Sequence, residues 1–159
     1  MRTLLLCTVI AMVAGLTTVQ FAAAADMDPV VGTWRLDAAK STFKSGSMIK
    51  SQTRTYSQSG NQITVEIKSV SAEGKDSTTH TTYELNGKSF PVEGTPDYNS
   101  LSGKQINPNT ARFTLMKDGK VVGTTTRTVS KDGKTLTSTN QMTTASGGKQ
   151  DYVLVFEKQ

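Results

Sequence analysis

Glycine-centred turn signals punctuate this chain at short, regular intervals. They are Ser59-Gly60-Asn61, Glu73-Gly74-Lys75, Asn86-Gly87-Lys88, Asn107-Pro108-Asn109, Asp118-Gly119-Lys120, Asp132-Gly133-Lys134 and Gly147-Gly148-Lys149, and most lie 11 to 14 residues apart. Asn-Gly and Asp-Gly pairs tolerate positive φ, which tight hairpins need. The intervals leave room for one short strand each and for hardly any helix. Side chains between the turns alternate in polarity. Ile63, Val65 and Ile67 oppose Gln62, Thr64, Glu66 and Lys68; Phe113 and Leu115 oppose Arg112, Thr114 and Met116; Tyr152, Leu154 and Phe156 oppose Val153 and Val155. A period of two with one apolar face describes a sheet buried on one side. Threonine fills outward positions such as Thr124, Thr126 and Thr128, being β-branched yet polar.

The pattern predicts strands near 31–36, 49–58, 62–71, 77–85, 99–106, 110–117, 120–130, 134–144 and 150–158, with a short tenth piece at 89–92. The fold class is therefore all-β, an antiparallel up-and-down meander of nine or ten strands. Closing it into a barrel removes the two raw edges that an open meander would expose; a two-sheet sandwich is the alternative. The only helical signal is Asp37-Ala38-Ala39-Lys40, where Asp37 could cap a single turn.

Residues 1–25 carry the parts of a cleavable export signal: a charged start at Arg2, an apolar run over 4–14 and a small-residue exit at Ala23 and Ala25. The expected cut follows Ala25, which places the domain, 26–159, in the periplasm or outside the cell. The apolar run is shorter than the ~20 residues of a spanning helix, and no later run is long enough to cross a membrane as a helix. Cleavage removes Cys7, the only cysteine, and with it thiol chemistry and cysteine-ligated metal. It also removes Arg2, lowering the net charge from +5 to +4. The remaining lysines are scattered singly beside turn glycines, which describes solvated loop ends and not a nucleic-acid surface.

Three segments carry a resemblance. Val31-Gly32-Thr33-Trp34-Arg35-Leu36 resembles the Gly-x-Trp signature of the calycins, the lipocalin and fatty-acid-binding barrels. Val153-Leu154-Val155-Phe156-Glu157-Lys158 resembles the closing strand of the fatty-acid-binding branch, and Arg127-Thr128-Val129-Ser130-Lys131-Asp132-Gly133-Lys134 its arginine-bearing strand. The chain is also similar to a group of small exported bacterial lipocalin-like proteins that begin Gly-Thr-Trp and end in a Lys-Asp-Gly-Lys hairpin. The resemblance implies a calycin-like barrel with Trp34 plugging one end. It does not transfer the fatty-acid function. That branch holds a carboxylate with a last-strand arginine and tyrosine, positions that fall here on Leu154 and Phe156. Only its second arginine is kept, as Arg127. Its helical lid has no counterpart, because Ser41–Ser47 is too short.

The expected function is that of a non-catalytic binder of a small apolar or weakly anionic ligand inside the barrel, contacted by Arg127, Tyr83, Phe113, Leu115, Tyr152, Leu154 and Phe156. If Arg127 faces inward, the cost of a buried charge demands an anion, either a ligand carboxylate or an internal Asp or Glu. His80, the only histidine, shares a face with Thr82 and Glu84 and is expected to face water. No metal-ligand spacing, nucleophile motif or phosphate loop occurs, so neither a cofactor nor catalysis is expected. The irregular stretch Phe90–Tyr98 reads either as a gate over a barrel mouth or as a wide crossover. A protein partner, met by Val153, Val155 and that stretch around a packed interior, is the alternative function.

Overall fold

The computed structural model describes residues 27–46 and 48–159. The expected export signal lies outside the described residues. Ten strands follow one another: β1 Gly32–Ser45, β2 Ile49–Ser59, β3 Gln62–Ser71, β4 Asp76–Tyr83, β5 Asn86–Pro91, β6 Ser100–Asn107, β7 Thr110–Lys117, β8 Lys120–Val129, β9 Thr135–Thr143 and β10 Lys149–Lys158. They form one antiparallel sheet in the order β4-β3-β2-β1-β10-β9-β8-β7-β6-β5. The meander expected from the turn spacing is therefore present, and a two-sheet sandwich is not.

The barrel closes nearly all the way round. Its first and last strands pair along most of their length, with Trp34 opposite Lys158 and Leu36 opposite Phe156. The seam falls between β4 and β5. Among the described residues only a His80–Glu93 bridge spans it in the backbone, with reciprocal N–H···O bonds of 3.0 Å. The Thr81 hydroxyl adds a bond of 2.7 Å to the Pro91 carbonyl. Pro91 ends β5 at this edge, where a residue without an N–H costs the ladder least. Gly94 then lets the chain pass close to β4: with φ +84°, a Cβ there would stand 1.8 Å from the Thr78 carbonyl oxygen.

Two expectations are corrected in detail. The tenth piece, placed at 89–92, is a strand beginning at Asn86. The helical turn at Asp37 is a β-bulge within β1, between Asp37 and Thr42 in the register with β10. Asp37 Oδ1 does accept the N–H groups of Ala39 and Lys40, at 3.1 and 3.2 Å. The side chain thus caps the local backbone as read, but Ser41 returns it to the ladder: its Oγ bonds the Asp37 carbonyl and receives the Val155 N–H.

The barrel interior is the core. Val30, Trp34, Ala111, Leu136, Leu154 and Phe156 are fully buried. The hairpins β2–β3, β4–β5, β6–β7 and β8–β9 gather at one end, called lower here, and the remaining hairpins with the β5–β6 connection gather at the upper end. Trp34 fills the lower end, as the resemblance implied. Its indole N–H donates to the Val30 carbonyl at 2.7 Å, which satisfies the one polar group of an otherwise apolar plug.

Candidate functional site

The inward parity of β2 and β8 places two arginines inside the barrel. Arg127 shares its face with Thr125 and Val129, and it is 3% exposed. Its Nη2 lies 2.7 Å from Asp28 Oδ2, and its Nη1 donates to the Tyr83 hydroxyl at 2.8 Å. The guanidinium sits near the rings of Tyr56 and Phe113, 5.9 and 5.6 Å from their centroids. Of the two anions open to an inward Arg127, an internal aspartate is the one present.

Asp28 can reach Arg127 because the chain just before β1 folds under the barrel. A turn bonds the Val31 N–H to the Asp28 carbonyl at 3.0 Å. Asp28 Oδ1 accepts the Val30 N–H at 2.9 Å, and the Asp28 N–H donates to Gln58 Oε1 at 2.7 Å. Asp28, Val30 and Trp34 thus make one pinned stopper. Burial raises the Tyr83 phenol pKa, which keeps it protonated beside Arg127.

The second arginine was not singled out from the sequence. Arg54 is 8% exposed. Its Nε donates to Gln52 Oε1 at 2.8 Å, and Gln52 Nε2 donates in turn to Ser69 Oγ at 2.7 Å. The guanidinium lies 4.4 Å from the Phe156 ring centroid. Such a contact contributes about 2 kcal/mol when desolvated. Among the described residues no carboxylate pairs with Arg54.

Arg54 borders an interior cavity of about 80 Å³. Tyr83, Phe113, Leu115 and Arg127, all expected ligand contacts, line the same cavity, together with Tyr98, Leu101, Thr125 and Asn140. The other three expected contacts stand elsewhere in the wall. Leu154 and Phe156 are fully buried, and Phe156 supports Arg54 from below. Tyr152 packs on Phe43 with ring centroids 5.9 Å apart. Its phenol and that of Tyr98 both feel the charge of Arg54. Burial raises both pKa values, that of Tyr98 to about 12, so at neutral pH both hydroxyls carry their protons.

The β5–β6 connection both crosses the seam and covers the upper mouth. Val92 is buried, Tyr98 reaches the cavity, and Asp97 Oδ1 accepts the Ala145 N–H from the β9–β10 hairpin at 3.0 Å. A larger groove, of about 640 Å³, lies outside the lower end beside Pro29, Leu85 and Gln105. Its carboxylates are already engaged, Asp28 by Arg127 and Glu84 by Asn86 Nδ2 at 2.7 Å. His80 is exposed on the outer face, as expected. No group of three or more His, Cys, Asp or Glu side chains among the described residues could hold a metal ion.

No protein-family model matches the chain, and no curated protein matches it by sequence. Solved structures match it in shape. The crystal structure of Rv2717c from M. tuberculosis superposes with a TM-score of 0.55 at 13% identity, over 82% of this chain and 93% of that one. A redesigned β-barrel, mFAP1, bound to DFHBI matches at TM-score 0.47 and 14% identity, over 82% of this chain and 95% of its own. A fluorescence-activating β-barrel designed de novo matches at TM-score 0.43 and 14% identity, over 81% of this chain and 93% of its own. The likeness to Rv2717c is one of fold.

Breaking the Asp28–Arg127 pair tests the stopper. Asp28→Asn should destabilise the protein by about 3 to 5 kcal/mol, because it leaves a buried guanidinium without its counter-charge. Adding Arg127→Met should recover part of that loss. Chemical denaturation of both variants checks this, and a double variant no more stable than Asp28→Asn alone would refute it.

Proposed function

We propose that this protein is an exported, non-catalytic binding protein of calycin type that holds one small molecule inside its barrel. One observation carries the reading: the core is not filled. The cavity between Arg54, Tyr98, Leu101 and Asn140 combines apolar walls with a few convergent polar groups, the composition of a ligand site. A well-packed domain of this size leaves few voids larger than a water. The cavity is nonetheless small. At about 80 Å³ it falls well below the ~300 Å³ at which drug-sized ligands begin to fit. The ligand is accordingly compact, and a long-chain lipid does not fit without expansion of the barrel.

Binding without turnover accords with the lining. It offers arginine, tyrosine, threonine and asparagine but no carboxylate, imidazole or thiol, the usual proton-transfer and nucleophilic groups. The rival reading, a protein-interaction module, calls for a packed interior, and the cavity weighs against it. Export rests on the charged start, apolar run and small-residue exit of residues 1–25.

Two measurements test the proposal. A thermal-shift screen of small neutral and charged compounds should find a class that stabilises the protein saturably, and Thr79→Phe, which fills the cavity, should abolish the effect. Saturable binding that survives Thr79→Phe would put the ligand outside the barrel, and no binding by any class would end the reading. For export, mass spectrometry of protein made from the full-length gene in a bacterial host should find a periplasmic chain beginning at Asp26. A chain kept in the cytoplasm with residues 1–25 attached would contradict it.

A further inference from the structure

We propose that Arg54 is the anion-recognition residue of the barrel interior and that its ligand is a short-chain carboxylate. The inference rests on the reading of the barrel as an interior binding site and names the ligand class.

The interior charges do not balance. Among the described residues two arginines point inward and one carboxylate, Asp28, meets them, and it meets Arg127. Arg54 is more than nine-tenths buried and has no ion-pair partner among the described residues. Its one hydrogen bond is from Nε to Gln52. The two terminal amino groups make none, and they are not among the buried atoms shut away without partners. They keep some accessible surface, and Arg54 lines the cavity. A charge taken out of water and left unpaired is costly, and an anion that enters the cavity removes that cost.

The guanidinium is also aimed. Gln52, itself held by Ser69, fixes the Nε edge, and the Phe156 ring covers one face. The remaining edge, with its two amino groups, is the fork that matches a carboxylate in bidentate fashion. The Tyr98 and Tyr152 hydroxyls have no protein hydrogen-bond partner among the described residues, and the charge of Arg54 acts on both. Of the two, Tyr98 lines the cavity as a further donor.

The rest of the lining sets the remainder of the ligand. Ile67, Leu101 and Leu115 suit a short hydrocarbon tail. A space of about 80 Å³ holds roughly six water-sized groups, which is about the size of butyrate. A phosphate dianion would overbalance the single free positive charge, because Arg127 is already neutralised, and it would find no apolar complement.

Titration calorimetry tests the assignment on protein made from the full-length gene, at neutral pH and constant ionic strength. The probes are sodium butyrate, its neutral isostere butyramide, and inorganic phosphate. Butyrate should bind saturably, and at least about tenfold more tightly than either butyramide or phosphate. Arg54→Met keeps the stem over Phe156; it should lose that preference, with butyrate falling to the affinity of butyramide. Arg54→Lys, which keeps the charge without the fork, should fall between. If Arg54→Met does not fold, the Nε–H signal of Arg54 in the unaltered protein serves instead, shifting at about tenfold lower concentrations of butyrate than of butyramide. Equal affinity for butyrate and butyramide, or full butyrate affinity in Arg54→Met, would overturn the role of Arg54 while leaving interior binding standing. Phosphate binding as tightly as butyrate would overturn the carboxylate class. Failure of all small molecules to bind would instead remove the functional reading on which the inference rests.

Discussion

The ion pair between Asp28 and Arg127 decides what the rest of this barrel can do. It joins the segment before β1 to a strand on the far side of the sheet, and the side chains of Asp28 and Arg127 are only 10% and 4% exposed. With no cysteine after Cys7, no disulfide can hold that segment in place. The pair does so, together with the Val30 turn and the Trp34 plug. The same pair matches the charge of one interior arginine, which also lines the cavity.

Arg54 has no such counter-charge among the described residues. The two differ in what surrounds them. Arg127 is held by a carboxylate and a phenol. Arg54 is held by an amide and a ring face, which orient a cation without neutralising it. Apolar walls strengthen any charge-assisted bond formed there, since the local dielectric is low. The barrel thus separates the work of its two arginines: one closes the lower end, and the other faces the space above it.

Much of this was legible beforehand, and the limits have physical causes. β3, β7 and β10 announce themselves through Ile63-Val65-Ile67, Phe113-Leu115 and Tyr152-Leu154-Phe156, where apolar side chains mark the inner face. β2 does not. Its inward residues Gln52, Arg54 and Tyr56 alternate with Thr53, Thr55 and Ser57, so both faces are polar and only Tyr56 betrays the parity. That is why Arg54 was missed. A second signal was available in register: Tyr56 lies opposite Val65 and Arg54 opposite Ile67, so the known face of β3 fixes that of β2. Asp28 was missed because a turn residue 99 positions from its partner has no periodicity to reveal it. The seam was not foreseen either. Sequence spacing implies that neighbours pair, but β4 and β5 part where the chain needs Pro91 and Gly94 to cross the mouth. The Asp37 stretch has helical composition and a capping side chain, yet Ser41 bonding to Val155 holds it in the sheet.

The proposed site needs an uncompensated guanidinium that faces usable space inside the barrel. Crystals soaked in 3-bromopropionate test it directly, because bromine is located by its anomalous scattering. One interior peak is expected between Leu101 and Leu115, with the carboxylate on the amino groups of Arg54. An interior without bromine, with peaks only at surface lysines, would contradict it.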